Sequence, residues 1–115
     1  MNNLVLAYLG DAVYELYVRE KLIEKGICKV KDLQNESIKY VSANSQVEIL
    51  EKLMDKDFFS SEEIDIIKRG RNSNGHKSKS TDIITYKKST GFECLIGYLY
   101  LNDKKRLNEV LKEVL

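Results

Sequence analysis

Along this chain apolar residues return every three or four positions, in six blocks divided by short polar stretches, the period of helices buried along one side. Asn2 or Asn3 can cap the first block. There Leu6, Leu9, Val13, Leu16 and Tyr17 keep helical spacing until Gly26 stops it, predicting a helix over about 3–25. Leu33, Ser37, Tyr40 and Val41 mark a second helix, and Val47, Leu50, Leu53 and Met54 a third beyond a break at 42–44. Ser60-Ser61-Glu62-Glu63 has the form of a capping box, in which hydroxyl and carboxylate satisfy orphan amides, and Ile64 and Ile67 give the fourth helix its buried stripe. Residues 71–80, RNSNGHKSKS, carry no apolar side chain and are expected to form a mobile basic loop. The fifth helix begins near Thr81 or Asp82, becomes densely apolar through Phe92, Leu95, Ile96, Leu99 and Tyr100, and ends at Asn102. Asp103 then caps a terminal helix bearing Leu107, Val110, Leu111 and Val114.

Composition supports the same picture. Zero prolines and six glycines leave few of the breaks that short strands and hairpins need, and 43% hydrophobic residues can fill a core without metal or disulfide staples. With no repeat or linker, the expectation is one all-α domain over 1–115, of about six to seven helices. Cys28 and Cys94 lack CxxC spacing, and one histidine cannot complete a zinc tetrahedron, so reduced thiols in the cytoplasm are expected. The longest uncharged run, the first ten residues, has no basic leader and is far short of the ~20 apolar residues that span a bilayer, so neither signal peptide nor membrane anchor is expected.

Global charge says little, because 19 Lys/Arg against 18 Asp/Glu leave a net of +1. Its distribution says more. Residues 68–88 hold Lys68, Arg69, Arg71, Lys77, Lys79, Lys87 and Lys88 against Asp82 alone, a local +6 that leaves −5 for the remainder. Such segregation would draw a polyanion to one region, and phosphate is the usual target of clustered Arg and Lys. A solvated helix end beside a flexible loop is the plainer alternative.

Two acids stand apart from the mixed-charge surfaces. Asp11 is the only charged residue among the first fourteen, and Glu93 the only one between 89 and 102. An unpaired charge in apolar surroundings costs several kcal/mol unless a cation, donors or water compensate it. Gly10 adjoins Asp11 and Gly97 lies one turn after Glu93; glycine inside a helix costs roughly 1 kcal/mol, so each suggests a close approach of backbone or ligand. If the first and fifth helices pack together, the two carboxylates meet in an oxygen-lined site suited to Mg²⁺, which takes one or two carboxylates and completes its shell with water and phosphate. Pairing of Asp11 with a basic side chain and structural hydrogen bonding by Glu93 are the bland alternatives.

Tyr8-Leu9-Gly10-Asp11-Ala12-Val13 resembles the signature helix of the ribonuclease III family, and Glu93-Cys94-Leu95-Ile96-Gly97-Tyr98-Leu99-Tyr100-Leu101 its second catalytic helix. With KRGRN between YLGDAVYELYVR and YKKSTGFECLIGYLYL, the chain more specifically resembles the compact bacterial branch, Mini-ribonuclease III, which has no double-stranded RNA-binding domain. The resemblance implies a homodimer that cleaves double-stranded RNA, with Asp11 and Glu93 as catalytic, Mg²⁺-coordinating carboxylates (Mn²⁺ being an alternative ion). It further implies maturation of the large-subunit (23S) ribosomal RNA precursor. Tyr8 falls at the position of an aromatic in the dimer interface; a core role is the plainer alternative for this tyrosine. The full family pattern has further acids where this chain has Leu4, Ala7 and Thr90, which leaves the number of ions and their remaining ligands open. Thr90 retains a hydroxyl that can face water in the ion's shell.

Hydrolysis assisted by Mg²⁺ needs no protein nucleophile and leaves a 5′-phosphate and a 3′-hydroxyl. The lone His76 agrees, since attack by a 2′-hydroxyl usually wants a matched acid and base; this histidine is expected to contact phosphate or solvent. Duplex RNA is read mainly by shape and backbone, so Lys68, Arg69, Arg71, Lys77, Lys79, Lys87 and Lys88 are the candidate RNA contacts. Two rivals share the helical reading: a non-catalytic RNA-binding ribosome-assembly factor, and a helical adaptor or helix-turn-helix DNA binder. The second needs an exposed recognition helix that the pattern does not offer.

Overall fold

The computed structural model describes residues 1–73 and 82–115, and among these the chain forms six α-helices and no strand. They are α1 (Asn3–Glu24), α2 (Val30–Val41), α3 (Ala43–Asp55), α4 (Ser61–Arg71), α5 (Ile83–Asn102) and α6 (Lys104–Lys112). Local chemistry sets most of these boundaries. The Asn2 side chain accepts from the Leu4 amide at 2.7 Å, Ser42 ends α2 and caps α3 through the Ser45 amide, and Asp82 and Asp103 cap α5 and α6. The capping box at Ser60 and Glu63 is complete. Gly26 follows α1 with φ +94°, a left-handed conformation that glycine adopts without a Cβ penalty. Arg71, expected to open the basic loop, is helical, because α4 continues through it with Asn72 as its cap; the rest of that expected loop from residue 74 on, with His76, Lys77 and Lys79, lies outside the described residues.

α5 is the centre. Phe92, Cys94, Leu95 and Ile96 are fully buried, and α1, α3, α4 and α6 pack around it. A helix covered on nearly every side needs no amphipathic stripe, which explains why residues 89–99 read as almost continuously apolar.

α1 departs from its expected phase. The buried line runs Leu6, Ala7, Gly10, Tyr14, Val18, Leu22, whereas Leu16, expected inside, is 60% exposed, and Val13 and Tyr17 are only partly covered. Both faces of this helix are apolar, so periodicity alone does not choose between them. Tyr14 fixes the choice: its hydroxyl donates to the Tyr40 carbonyl at 2.7 Å while its ring meets Phe92 edge-on. In α4, Ile66 and Ile67 form the buried stripe and Ile64 is peripheral. Tyr100 near the end of α5 is also partly exposed, at 38%.

The tightest packing is backbone on backbone. A Cβ placed on Gly10 would overlap the Glu93 carbonyl and come within 2.8 Å of the Gly97 amide nitrogen, and one placed on Gly97 would overlap the Leu6 carbonyl. The close approach suggested by these two glycines is therefore that of one helix backbone to another. The same device brings α4 onto α5, where a Cβ on Gly70 would lie 2.7 Å from Cys94 Cβ and one on Gly91 2.5 Å from the Ile67 carbonyl oxygen.

α6 is tied to the start of α4 electrostatically. Arg106 of α6 donates to both Glu63 oxygens (2.8 and 2.9 Å) and to the Phe58 carbonyl, and lies over the Phe58 ring. Burial pushes the Glu63 carboxyl up, but hydrogen bonds from Arg106 and the Ser60 amide prevail and hold it below the usual carboxylate range.

Gly10→Ala and Gly97→Ala are each expected to lower thermal stability by at least about 3 kcal/mol, a Tm loss of more than about 10 °C, although alanine is the better helix former by roughly 1 kcal/mol. A Tm within about 3 °C of the parent in thermal unfolding would show that the two helices can separate at little cost.

Candidate active site

Because α1 and α5 touch at Gly10 and Gly97, Asp11 is carried past the crossing next to Glu93, 82 residues further along the chain. The carboxyl groups come close enough to share a hydrogen bond. They open into a cleft of about 370 Å³ lined by Leu4, Ala7, Tyr8, Asp11, Tyr86, Thr90 and Glu93. Leu4, Ala7 and Thr90, the positions where the full ribonuclease III pattern has further acids, thus border the same cleft as Asp11 and Glu93.

The two acids have unlike settings. Glu93 is half-buried in the wall, whereas Asp11 is exposed at the mouth, correcting the expectation that both are enclosed by apolar surroundings. Asp11 looked enclosed because its neighbours Tyr8, Ala12 and Leu16 are apolar, yet all three are exposed as well. Burial, the hydrogen bond with Asp11 and the charge of Asp11 push the Glu93 carboxyl up to about 9, with Glu15 adding to the rise. At neutral pH and without a compensating cation, Glu93 therefore keeps its proton.

Opposing that rise is Gln46, a residue the sequence reading missed. It is 1% exposed, and its Nε2 donates to Glu93 Oε2 at 3.4 Å. The signal was present: 46, 50 and 53 form the inward line of α3, so an amide sits where periodicity calls for a hydrocarbon. Thr90 is buried and its hydroxyl donates to the Tyr86 carbonyl at 2.9 Å, leaving its oxygen as an acceptor only.

Among the described residues no cluster of three or more His, Cys, Asp or Glu side chains forms. Two carboxylates at an open cleft fit a hard divalent ion that keeps most of its water, Mg²⁺ or Mn²⁺, better than one demanding a full protein cage.

The basic residues are divided rather than gathered. Lys68, Arg71 and Lys88 border one groove between α3, α4 and α5, with Glu51 and Asp55 on its far wall, and Lys88 pairs with Glu51 at 3.5 Å. Arg69 borders a separate depression with Asn3, Leu6 and Tyr98. Lys87 is exposed on α5 next to the cleft residue Tyr86, and Lys77 and Lys79 lie outside the described residues. Tyr8, at 84%, is among the most exposed apolar side chains, so the core role considered for it is excluded.

A carboxyl whose folded pKa is raised binds a proton that the unfolded chain has released, so its presence lowers stability as pH climbs from 4.5 toward about 9. With chelator present, Glu93→Gln is expected to raise Tm at pH 8 by roughly 4 °C or more, and the gain should vanish near pH 4. An equal effect at both pH values in thermal unfolding would remove the titration of Glu93 as its cause.

The Ribonuclease III domain family model matches residues 4–104. Two proteins named Mini-ribonuclease 3 are similar over nearly the whole chain. That of Staphylococcus aureus is 47% identical, covering 100% of this chain and 87% of its own, and that of Symbiobacterium thermophilum is 50% identical, covering 95% and 84%. A solved structure of a Fusobacterium nucleatum protein superposes with TM-score 0.88 at 30% identity, over 99% of this chain and 93% of that one. With its all-α architecture and the Asp11–Glu93 pair at the α1–α5 crossing, the chain belongs to the ribonuclease III family and is an endoribonuclease.

Proposed function

We propose that the chain is a Mg²⁺-dependent endoribonuclease that cuts double-stranded RNA by hydrolysis, with Asp11 and Glu93 as its catalytic, ion-holding residues and Mn²⁺ as an alternative ion. The observation that carries this reading is the pair itself: two acids from distant helices converge on an open cleft, one of them prone to hold a proton unless a cation takes its place. When bound, the ion supplies acidification of the attacking water and neutralisation of charge on the scissile phosphate. Asp11, exposed at the mouth, would hold the ion at little desolvation cost, and Glu93 in the wall would hold it as the carboxylate, its proton released to solvent through the open cleft. Leu4 and Ala7 keep that part of the wall apolar, and Thr90 offers an acceptor to water. The products are a 5′-phosphate and a 3′-hydroxyl.

Lys68, Arg71, Lys87 and Lys88 contact the duplex backbone, with Lys77 and Lys79 beside them in the sequence; Arg69, across α1 from the cleft, contributes less. Val5, Tyr8, Ala12 and Leu16 make an exposed apolar line on α1, suited to a second copy of the chain in a two-fold dimer that presents two clefts to one duplex. Among the described residues no helix is long and apolar enough to cross a membrane. Likeness to the compact branch supports the precursor of large-subunit (23S) ribosomal RNA as the substrate and the cytoplasm as the setting.

Asp11→Asn and Glu93→Gln are each expected to cut a long RNA duplex at least 10³-fold more slowly with Mg²⁺, roughly 4 kcal/mol of transition-state stabilisation, while melting cooperatively. Folded variants cutting at the parent rate would refute the assignment, and so would parent activity that survives EDTA. Lys68→Gln with Arg71→Gln should lower the salt slope of duplex binding by about 2, whereas Arg69→Gln changes it little. Light scattering at micromolar concentration should show a dimer for the parent and a monomer for Tyr8→Arg; an active monomeric parent rules out the pairing.

A further inference from the structure

Gln46 is the costliest polar placement in the described core. Its side chain is 1% exposed and its Oε1 is the one buried side-chain oxygen or nitrogen among the described residues without a hydrogen-bond partner. An orphaned amide oxygen costs about 1–3 kcal/mol, and a Met or Leu at this inward position of α3 would avoid that loss. Turning the amide over gives no relief. Against an ionised Glu93 it would set Oε1 lone pair to lone pair with Oε2, and in either protonation state it would strand the amino group, a double donor, in the orphan's place. The observed orientation spends its single polar contact on Glu93.

We propose that Gln46 is the positioning residue of the carboxylate pair: its Nε2 holds one oxygen of Glu93, so that the carboxylate presents its other oxygen toward Asp11, where a divalent cation binds. An amide suits the task better than the alternatives at this depth. It donates to an ionised carboxylate, as Lys or Arg would, but adds no positive charge to compete with the cation. It also comes from α3, a third helix, so the Glu93 carboxyl is contacted from two helices other than its own, α1 and α3. This inference rests on the reading that Asp11 and Glu93 hold the ion.

Calorimetric titration of the RNA-free protein with Mn²⁺ separates the two ideas. The parent should bind, Glu93→Gln should lose binding, and Gln46→Met, close in volume but unable to donate, should bind about 10-fold more weakly while melting at or above the parent Tm. In cleavage assays Gln46→Met should need correspondingly more Mn²⁺ for half-maximal rate, recover most of kcat at saturating ion, and keep the parent KM for duplex. Parent-like Mn²⁺ affinity in Gln46→Met, beside lost affinity in Glu93→Gln, overturns the role of Gln46 alone. Absent binding by the parent, or unchanged binding by Glu93→Gln, overturns both. Should Gln46→Met fail to fold, the parent still decides: the Gln46 side-chain amide resonances should shift as Mg²⁺ is added, with the midpoint of ion binding, and stationary resonances refute the proposal.

Discussion

The structure depends on one crossing, at which α1 and α5 meet without side chains between them. Ordinary helix pairs keep 8–10 Å between axes because side chains fill the gap. At Gly10 and Gly97 that filling is absent, and carbonyls of one helix lie where the Cβ of the other would stand. Two consequences follow from the same contact. The centre of α5 is buried deeply enough to seat Phe92, Leu95 and Ile96 with no exposure, and the residues flanking the glycines, Asp11 and Glu93, are forced into the same few ångströms. The packing of the core and the meeting of the two acids are thus tied to one piece of geometry.

That geometry would be unfavourable if both acids were equally buried and equally charged. The fold avoids it by asymmetry. Asp11 stays in solvent at the cleft mouth, and Glu93 sits half-buried in the wall, where burial and Asp11 disfavour its charge and the Gln46 amide favours it. Elsewhere the chain handles a buried carboxylate in the opposite way. Glu63 meets Arg106 and the Ser60 amide, so burial is outweighed and the group stays ionised. A carboxylate with a guanidinium fork is held charged by the fold; one with only a second carboxylate and an amide is not.

Much of the fold was legible in advance. The six helical blocks, the caps at Ser60 and Asp103, a cap at Asn2 or Asn3 that proves to be Asn2, and the stop at Gly26 follow from local rules that act within one turn. The meeting of Asp11 and Glu93, isolated charges near glycines, was expected from the same residues on the condition that the first and fifth helices pack together, and they do. The two misreadings in α1 share one cause. Leu16 was placed inside and Asp11 within apolar surroundings because α1 is apolar on both faces, one packed on α5 and one open to solvent. Gln46 shares the inward line of Leu50 and Leu53, so its burial is readable from periodicity, but that its amide meets Glu93 depends on how α3 packs against α5. The basic run of 68–88 likewise looked like one patch, but α4 turns successive residues about 100° apart, sending Lys68 and Arg71 to one groove and Arg69 to another.

What the sequence determined by itself was everything short-ranged: helix, cap, stop, and the presence of two acids whose neighbours could not neutralise them. The tertiary structure decided which face of α1 is inside, how far each acid is desolvated, and which amide from a third helix reaches Glu93. Those outcomes depend on contacts between residues tens of positions apart, whose free energy belongs to the assembled packing and leaves no periodic trace in the chain.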